Sequence, residues 1–437
     1  MSSVAMMPKY EAYNESGVEW IGNIPEHWNI TKAKYLFNEV DERSVTGHEE
    51  LLSVSHITGV TPRSEKNVSM FMAEDYSGSK TCQADDIVFN TMWAWMGALG
   101  VSERSGIVSP SYGVFRQKFT NTFNAKYLEY LLKTPKYIEH YNKVSTGLHS
   151  SRLRFYGHMF FDMKMGYPHI DEQNGIIKFL DNKTNKIDEA AAIKEKQISL
   201  LKERKQIIIQ QAVTRGLNPD VPMRDSGVDW IGEIPDHWCS EPIKYSLKGI
   251  IDCEHKTAPF VDKKEFFVVR TSNVKQGKLV IEDAKYTNEY GYKEWTSRGV
   301  PFPGDILLTR EAPAGEACLV PDDRKLCLGQ RMVWLKVDRT RLLPEFALSL
   351  IYSSVVRTYI DFLSAGSTVL HFNMADIKNI PVILPPINEQ AILVTHIKKH
   401  SDKIDKAIEL EQQQISKLKE YKSILINSAV TGKIKVV

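Results

Sequence analysis

Basic, hydroxyl and glycine residues crowd into one stretch of this chain. From Lys143 to Lys164 stand Lys143, Arg152, Arg154 and Lys164 against the single carboxylate of Asp162, with Ser145-Thr146-Gly147 and Ser150-Ser151 between them. Such a set suits an oxyanion, a phosphate above all: lysine and arginine bring charge, while hydroxyls and a glycine turn bring further donors. Two other places carry related chemistry. Arg270-Thr-Ser-Asn273 follows the strand-like Phe266–Val269, and Arg310 follows Ile306–Thr309. Arginine and asparagine offer paired groups of the kind that match base edges. Ala365-Gly-Ser367-Thr368 keeps the small polar loop but lacks the arginines. A lone arginine is also an ordinary surface charge, so the clusters carry the reading.

Catalytic chemistry has no comparable foothold. The sequence contains no G-x-G-x-x-G after a strand-like run, no G-x-x-x-x-G-K-[ST] loop, no H-E-x-x-H and no G-x-S-x-G. The Asn/Asp-Pro-Pro-aromatic tetrapeptide of amino-methyltransferases is missing as well, since Pro385-Pro386 stands between Leu384 and Ile387. Carboxylates are scattered, with no repeated metal-ligand set. No catalytic, cofactor-binding or metal residue is assigned.

A chain of 437 residues exceeds one ordinary core, so two or more domains are expected. The formal charge is only +2, so any basic surface must be local. Cys82, Cys239, Cys253, Cys318 and Cys327 contain no C-x-x-C pair, which argues for a reducing compartment rather than a disulfide framework or a zinc site. Apolar runs are strand-sized and the first fifteen residues show no secretory pattern, so a cytoplasmic protein without a membrane is expected.

What must position the chemistry is a duplicated frame. Ser16–Trp28 reads SGVEWIGNIPEHW and Ser226–Trp238 reads SGVDWIGEIPDHW, 210 residues apart, and Lys34-Tyr35 with Lys244-Tyr245 continues the match. Trp20, Trp28, Trp230 and Trp238 read as buried anchors, Pro25 and Pro235 as turn stiffeners, and His27 and His237 as packing or capping groups. A second pair is offset by 217. Glu172-Gln173 leads through Lys186-Ile187-Asp188 to Ala212-Val213-Thr214; Glu389-Gln390 leads through Lys403-Ile404-Asp405 to Ala429-Val430-Thr431. The stretches between, Asn29–Asp171 and Cys239–Asn388, look barely alike, and the second is seven residues longer between the blocks.

The Glu-Gln blocks read as helices. Each follows a proline boundary and contains no proline. Ile187, Ala191, Ile198, Leu201, Ile208 and Ala212 recur at three- and four-residue spacing, as do Ile404, Ile408, Ile415, Leu418 and Leu425. Lys194 and Glu411 occupy equivalent skipped positions. Two helices of roughly 40 residues, each on the order of 60 Å long, can satisfy each other's narrow stripes. The expectation is an antiparallel coiled coil about an approximate two-fold axis, with Lys194 facing Glu411 near the crossing.

Taken together, these blocks resemble the specificity subunits of type I restriction–modification systems over nearly the whole chain. The carriers are the paired SGV[ED]WIGxIPxHW blocks, the Glu-Gln openings after Pro168 and Pro386, and Ala-Val-Thr before Gly216 and Gly432. Gly304-Asp-Ile-Leu-Leu-Thr309 and Gly329-Gln-Arg-Met-Val333 are similar to segments of the family's target recognition domains, and Asp86-Ile-Val-Phe89 echoes one of them in the first half. The resemblance implies an α+β protein with two mixed α/β target recognition domains, 1–168 and 217–385, and two long helices, 169–216 and 386–437. The helices would pair as an antiparallel coiled coil, giving a pseudo-two-fold internal repeat. Each domain would read half of a bipartite, asymmetric site in double-stranded DNA. The helices would set the non-specific spacer and dock two modification (methyltransferase) subunits, which restriction (translocase and nuclease) subunits join. S-adenosylmethionine, ATP and Mg would belong to those partners and none to this chain.

In that setting Lys143, Thr146, Arg152, Arg154, Arg270, Asn273, Arg310, Ser367 and Thr368 become the candidate DNA contacts. The candidate helix interface is Ile187, Ala191, Lys194, Ile198 and Leu201 with Ile404, Ile408, Glu411, Ile415 and Leu418. Two other readings compete, a self-sufficient fused restriction–methylation enzyme and a coiled-coil scaffold. Missing catalytic motifs weigh against the first, and two large aromatic-rich inserts against the second.

Overall fold

A computed structural model describes residues 4, 6–66, 75–147, 153–364 and 372–437. The chain forms two compact units, Met1–Glu195 with Gln412–Val437, and Lys196–Glu411. This division falls inside both long helices, whereas the boundaries expected from the sequence stood at their ends.

In the first unit the chain leaves the opening block along β1 (Asn29–Lys32). It then builds an antiparallel sheet from β2 (Phe37–Glu39), β3 (Ile87–Phe89), β4 (Leu99–Val101) and β5 (Gly113–Gln117), in the order β2–β5–β3–β4. Every residue of β3 is buried, so both faces of the sheet are covered and the strand is apolar throughout instead of alternating. Helix α1 (Ala125–Leu132) starts where the Asn124 side chain accepts from the Lys126 and Tyr127 N–H groups, and α2 (Pro135–Val144) starts on a proline. Strand β6 (Lys164–Tyr167) returns antiparallel to β1, and α3 (Ile170–Arg215) follows. Phe37, Phe89, Phe115, Phe155 and Phe160 fill the core, with the Phe115 and Phe160 rings 4.5 Å apart.

The second unit repeats this plan. Strand β7 (Cys239–Pro242) leads to β8 (Leu247–Asp252), and β9 (Phe266–Val269) lies on the way to β10 (Ile306–Thr309) and β11 (Ala317–Leu319). After β12 (Leu326–Leu328) and β13 (Met332–Val337) come α4 (Pro344–Ile351) and α5 (Ser354–Ser364). Strand β14 (Pro381–Leu384) pairs with β7 as β6 does with β1, and α6 (Ile387–Val430) follows. The central sheet runs β8–β13–β10–β11, the order of the first unit. An additional sheet is mixed: β9 pairs parallel with β12 and antiparallel with Lys285–Thr287. The architecture is α+β, with mixed strand pairing and long helices.

The interiors that look barely alike in sequence therefore share one sheet. Asp86 and Asp305 introduce equivalent strands 219 residues apart, against 210 for the opening blocks and 217 for the helices. Nine residues are thus added before this aspartate in the second unit and two lost after it.

Along the helices, Ile187, Ile198, Ile404 and Ile415 are buried, and Ala191, Lys194, Leu201, Ile408, Glu411 and Leu418 are partly exposed. In the first unit Leu418 packs against the cluster that holds Ile187, and Lys422 Nζ lies 2.8 and 2.6 Å from the oxygens of Asp188. In the second, Lys205 Nζ lies 2.8 Å from both oxygens of Asp405. Lys194 belongs to the first unit and Glu411 to the second.

Candidate nucleic-acid interface

The opening block of each unit is tied to the start of its long helix by one clamp. Glu172 Oε2 sits 2.8 Å from His27 Nε2, while Oε1 accepts from Trp28 Nε1 at 3.1 Å and from the Tyr10 hydroxyl at 2.6 Å. Burial, and then the adjoining Glu172 carboxylate, push the Tyr10 hydroxyl well up, so it remains a donor. In the second unit Glu389 Oε2 lies 2.9 Å from His237 Nε2 and accepts from Trp238 Nε1 at 3.2 Å. The histidines are therefore partners of a carboxylate.

The neighbouring glutamines are fully buried. Gln173 donates to the Thr122 and Pro168 carbonyls at 2.9 Å and accepts from Asn124 N–H at 3.0 Å. Gln390 donates to Arg341 and Pro385 carbonyls at 2.8 and 2.9 Å and accepts from Leu343 N–H at 2.8 Å. Sequence reasoning used the Glu-Gln pairs only as markers of a helix start; their recurrence beside the opening blocks was the available signal. Trp28 and Trp238 are the buried anchors expected. Trp20 is half-buried and stacked on His140 at 4.4 Å. Trp230 is 40% exposed and is held by its N–H on the Val355 carbonyl, 3.0 Å away, a correction to its expected burial.

The phosphate-type residues of the first unit gather at the end of α2. Thr146 and Arg154 exchange two backbone hydrogen bonds, at 3.1 and 2.8 Å, which brings Arg154 back beside the exposed Lys143–Thr146 segment. Phe155 N–H then donates to the Thr91 carbonyl at 2.9 Å, fastening this segment to the turn after β3. The second unit has the same fastening: Phe372 N–H donates to the Arg310 carbonyl at 2.9 Å. Arg152, Ser367 and Thr368 lie outside the described residues.

Two candidates of the second unit are placed where they cannot read DNA. Asn273 is fully buried; its Oδ1 accepts from Arg270 N–H at 3.1 Å and its Nδ2 donates to the Val280 and Glu282 carbonyls. It holds a turn. Arg310 is 7% exposed, donates to the Phe372 carbonyl at 2.9 Å and pairs with Asp252 at 2.8 Å. Its charge is spent inside the unit. Residue type suggested both, and burial removes both.

Arg270 remains partly exposed. With Thr271, Ser272, Gln330 and Arg331 it lines a polar cavity of about 250 Å³. The Gly329 N–H on the Val269 carbonyl, at 2.7 Å, joins the two segments. Arg270 Nη2 donates to the Asp283 carbonyl at 2.6 Å, and its Nε is buried without a partner. Gln330 and Arg331 are exposed. The sequence singled out Gly329-Gln-Arg as a segment but did not assign these side chains. Among the described residues no three His, Cys, Asp or Glu side chains gather as metal ligands, and no single helix is long and apolar enough to cross a membrane.

Two differently surfaced domains on one repeated frame define a recognition protein. Residues 244–420 match the family described as the type I restriction modification DNA specificity domain. Over 457 aligned residues the chain is 23% identical to the putative type I restriction enzyme MjaX specificity subunit of Methanocaldococcus jannaschii, covering 99% of each. A chain solved in a study of complex assembly and conformational transition of the type I restriction–modification system superposes with a TM-score of 0.68, at 12% identity, over 93% of this chain and 98% of that one. The HsdS subunit from Thermoanaerobacter tengcongensis gives 0.51 at 13% identity, over 94% and 98%. These two likenesses concern the fold. The chain belongs to the specificity subunits of type I restriction–modification systems, as the non-catalytic, DNA-specificity member of such a complex.

Proposed function

We propose that each unit reads one half of a bipartite, asymmetric site in double-stranded DNA, with 1–168 and 217–385 as target recognition domains. The observation that carries this reading is one sheet and one clamp used twice beneath unlike surfaces. Lys143, Thr146 and Arg154, together with Arg152, serve phosphates of the first half-site. Arg270, Gln330 and Arg331 serve the second, with Ser367 and Thr368 as its small polar loop.

Helices 169–216 and 386–437 act as the ruler, pairing as an antiparallel coiled coil with Lys194 facing Glu411. Helices of 46 and 44 residues are on the order of 65 Å long, more than the roughly 34 Å of one DNA turn. A stiff arm turns spacer length into a specificity term, because a wrong spacing keeps both domains from engaging together. The same helices dock two modification subunits, which bring S-adenosylmethionine, and restriction subunits, which bring ATP and Mg, complete the complex.

The test replaces residues 29–168 with another domain of this kind, assembles the complex with modification subunits and maps the methylated adenines. One half-site changes while the other half-site and the spacer stay. A change in both half-sites, or in neither, overturns the reading.

A further inference from the structure

The turn after β3 carries a feature that phosphate chemistry does not use. Thr91-Met92-Trp93-Ala94-Trp95-Met96 closes on Gly97, whose φ of +84° lies in the left-handed region. A Cβ there would lie 2.9 Å from Ile138 Cδ1 of α2, so the turn is seated against that helix. Ala94 is fully buried, and Trp95 Nε1 donates to the Met92 carbonyl at 2.9 Å. Trp93 stacks on Trp95, with centroids 5.9 Å apart and planes at 29°, yet is itself 45% exposed, beside Met96 at 41%. A large apolar ring is thus held rigidly at the surface.

Its surroundings are cationic. Thr91, two residues before Trp93, accepts the Phe155 N–H, which places the turn next to Arg154; α2 beneath it ends at Lys143-Val144. The equivalent turn of the second unit, 219 residues on, is fastened by the Arg310–Phe372 bond but has Ala312 and Ala314 at the tryptophan positions. There Glu311 pairs with Arg331 at 3.2 Å. One socket presents aromatic rings in one unit and an ion pair in the other.

We propose that Trp93 is a base-stacking wedge, its indole inserted against the faces of a base step in the half-site read by the first unit. An apolar plane edged by cations complements stacked bases edged by phosphates. Trp95 braces the wedge from behind, so little ordering is left for the moment of binding. The proposal rests on the DNA-reading function above.

The test uses the full chain assembled with its modification subunits and a duplex carrying the mapped target. Binding is titrated over a range of salt, and 2-aminopurine reports unstacking in either half-site. Trp93→Ala weakens binding about tenfold or more, keeps the slope of log affinity on log salt, and abolishes the fluorescence rise in the first half-site alone. Trp93→Phe retains most of the affinity and the rise. Wild-type affinity in Trp93→Ala, a reduced salt slope, or weakened assembly with modification subunits at unchanged DNA affinity each overturns the wedge while leaving the DNA reading intact. A wild-type complex that binds no such duplex overturns the DNA reading itself, and the wedge with it.

Discussion

Lys205 and Asp405 form the same ion pair as Lys422 and Asp188, displaced by 217 residues, with cation and carboxylate exchanged between the two long helices. In each unit the lysine comes from the end of one helix and the aspartate from the early part of the other. The duplication has thus preserved a contact as well as a sequence.

That equivalence predicts matched energetics. These side chains are partly solvated, so each pair contributes about 0.5 kcal/mol. Lys205→Asp destabilises the second unit, and adding Asp405→Lys restores most of the loss in a double-mutant cycle read by urea unfolding. The Lys422/Asp188 cycle gives the same coupling within error, and additive effects in either cycle would deny the pairing.

Gln173 and Gln390 predict larger effects. Each buried amide satisfies three backbone groups, and leucine would strand them. Gln173→Leu costs about 2–3 kcal/mol in the first unit, and Gln390→Leu the same in the second. A midpoint in urea unchanged from wild type would show that the joint is redundant.

Arginines of opposite standing separate DNA contact from support. Arg310→Met leaves Asp252 buried beside His255 and costs about 3 kcal/mol of stability, with the salt dependence of DNA binding unchanged. Arg154→Ala leaves thermal unfolding unchanged but lowers the log–log salt slope by about 1, and adding Arg152→Ala lowers it further. The opposite assignment of the two phenotypes would reverse their roles.

A pH effect is expected at the first opening block. Burial first, and then the Lys143 charge, hold the His140 imidazole below its ordinary value. Because the folded value lies below the unfolded one, near about 6.5, this group's contribution is complete above that pH. It is lost as pH falls through the folded value. The melting temperature should drop between pH 7 and pH 5, and His140→Phe should flatten that acid limb. An identical limb in the variant would assign the acid sensitivity elsewhere.

The repeat made the opening blocks, the Glu-Gln joints and the long helices legible, because those contacts require particular side chains. The shared sheet was hidden for the converse reason. A strand covered on both faces needs only apolar residues of suitable size, so Ile87-Val-Phe89 and Ile306-Leu-Leu-Thr309 do the same work with little in common. Their introducing aspartates differ too: Asp86 takes Arg116 in a paired contact, whereas Asp305 accepts the Trp334 indole N–H. Asn273 and Arg310 show the limit of reading by residue type. The groups that match a base edge also match a buried carbonyl, and composition does not say which is nearer.

Both glutamine joints bond only to carbonyl and amide groups of the main chain, at Thr122, Asn124 and Pro168 in one unit and at Arg341, Leu343 and Pro385 in the other. Main-chain groups are the part of a protein that mutation leaves alone. Recombination between genes that keep this backbone path can therefore import a foreign recognition domain without a compensating change in the helix, and a new DNA target can arise in a single genetic event.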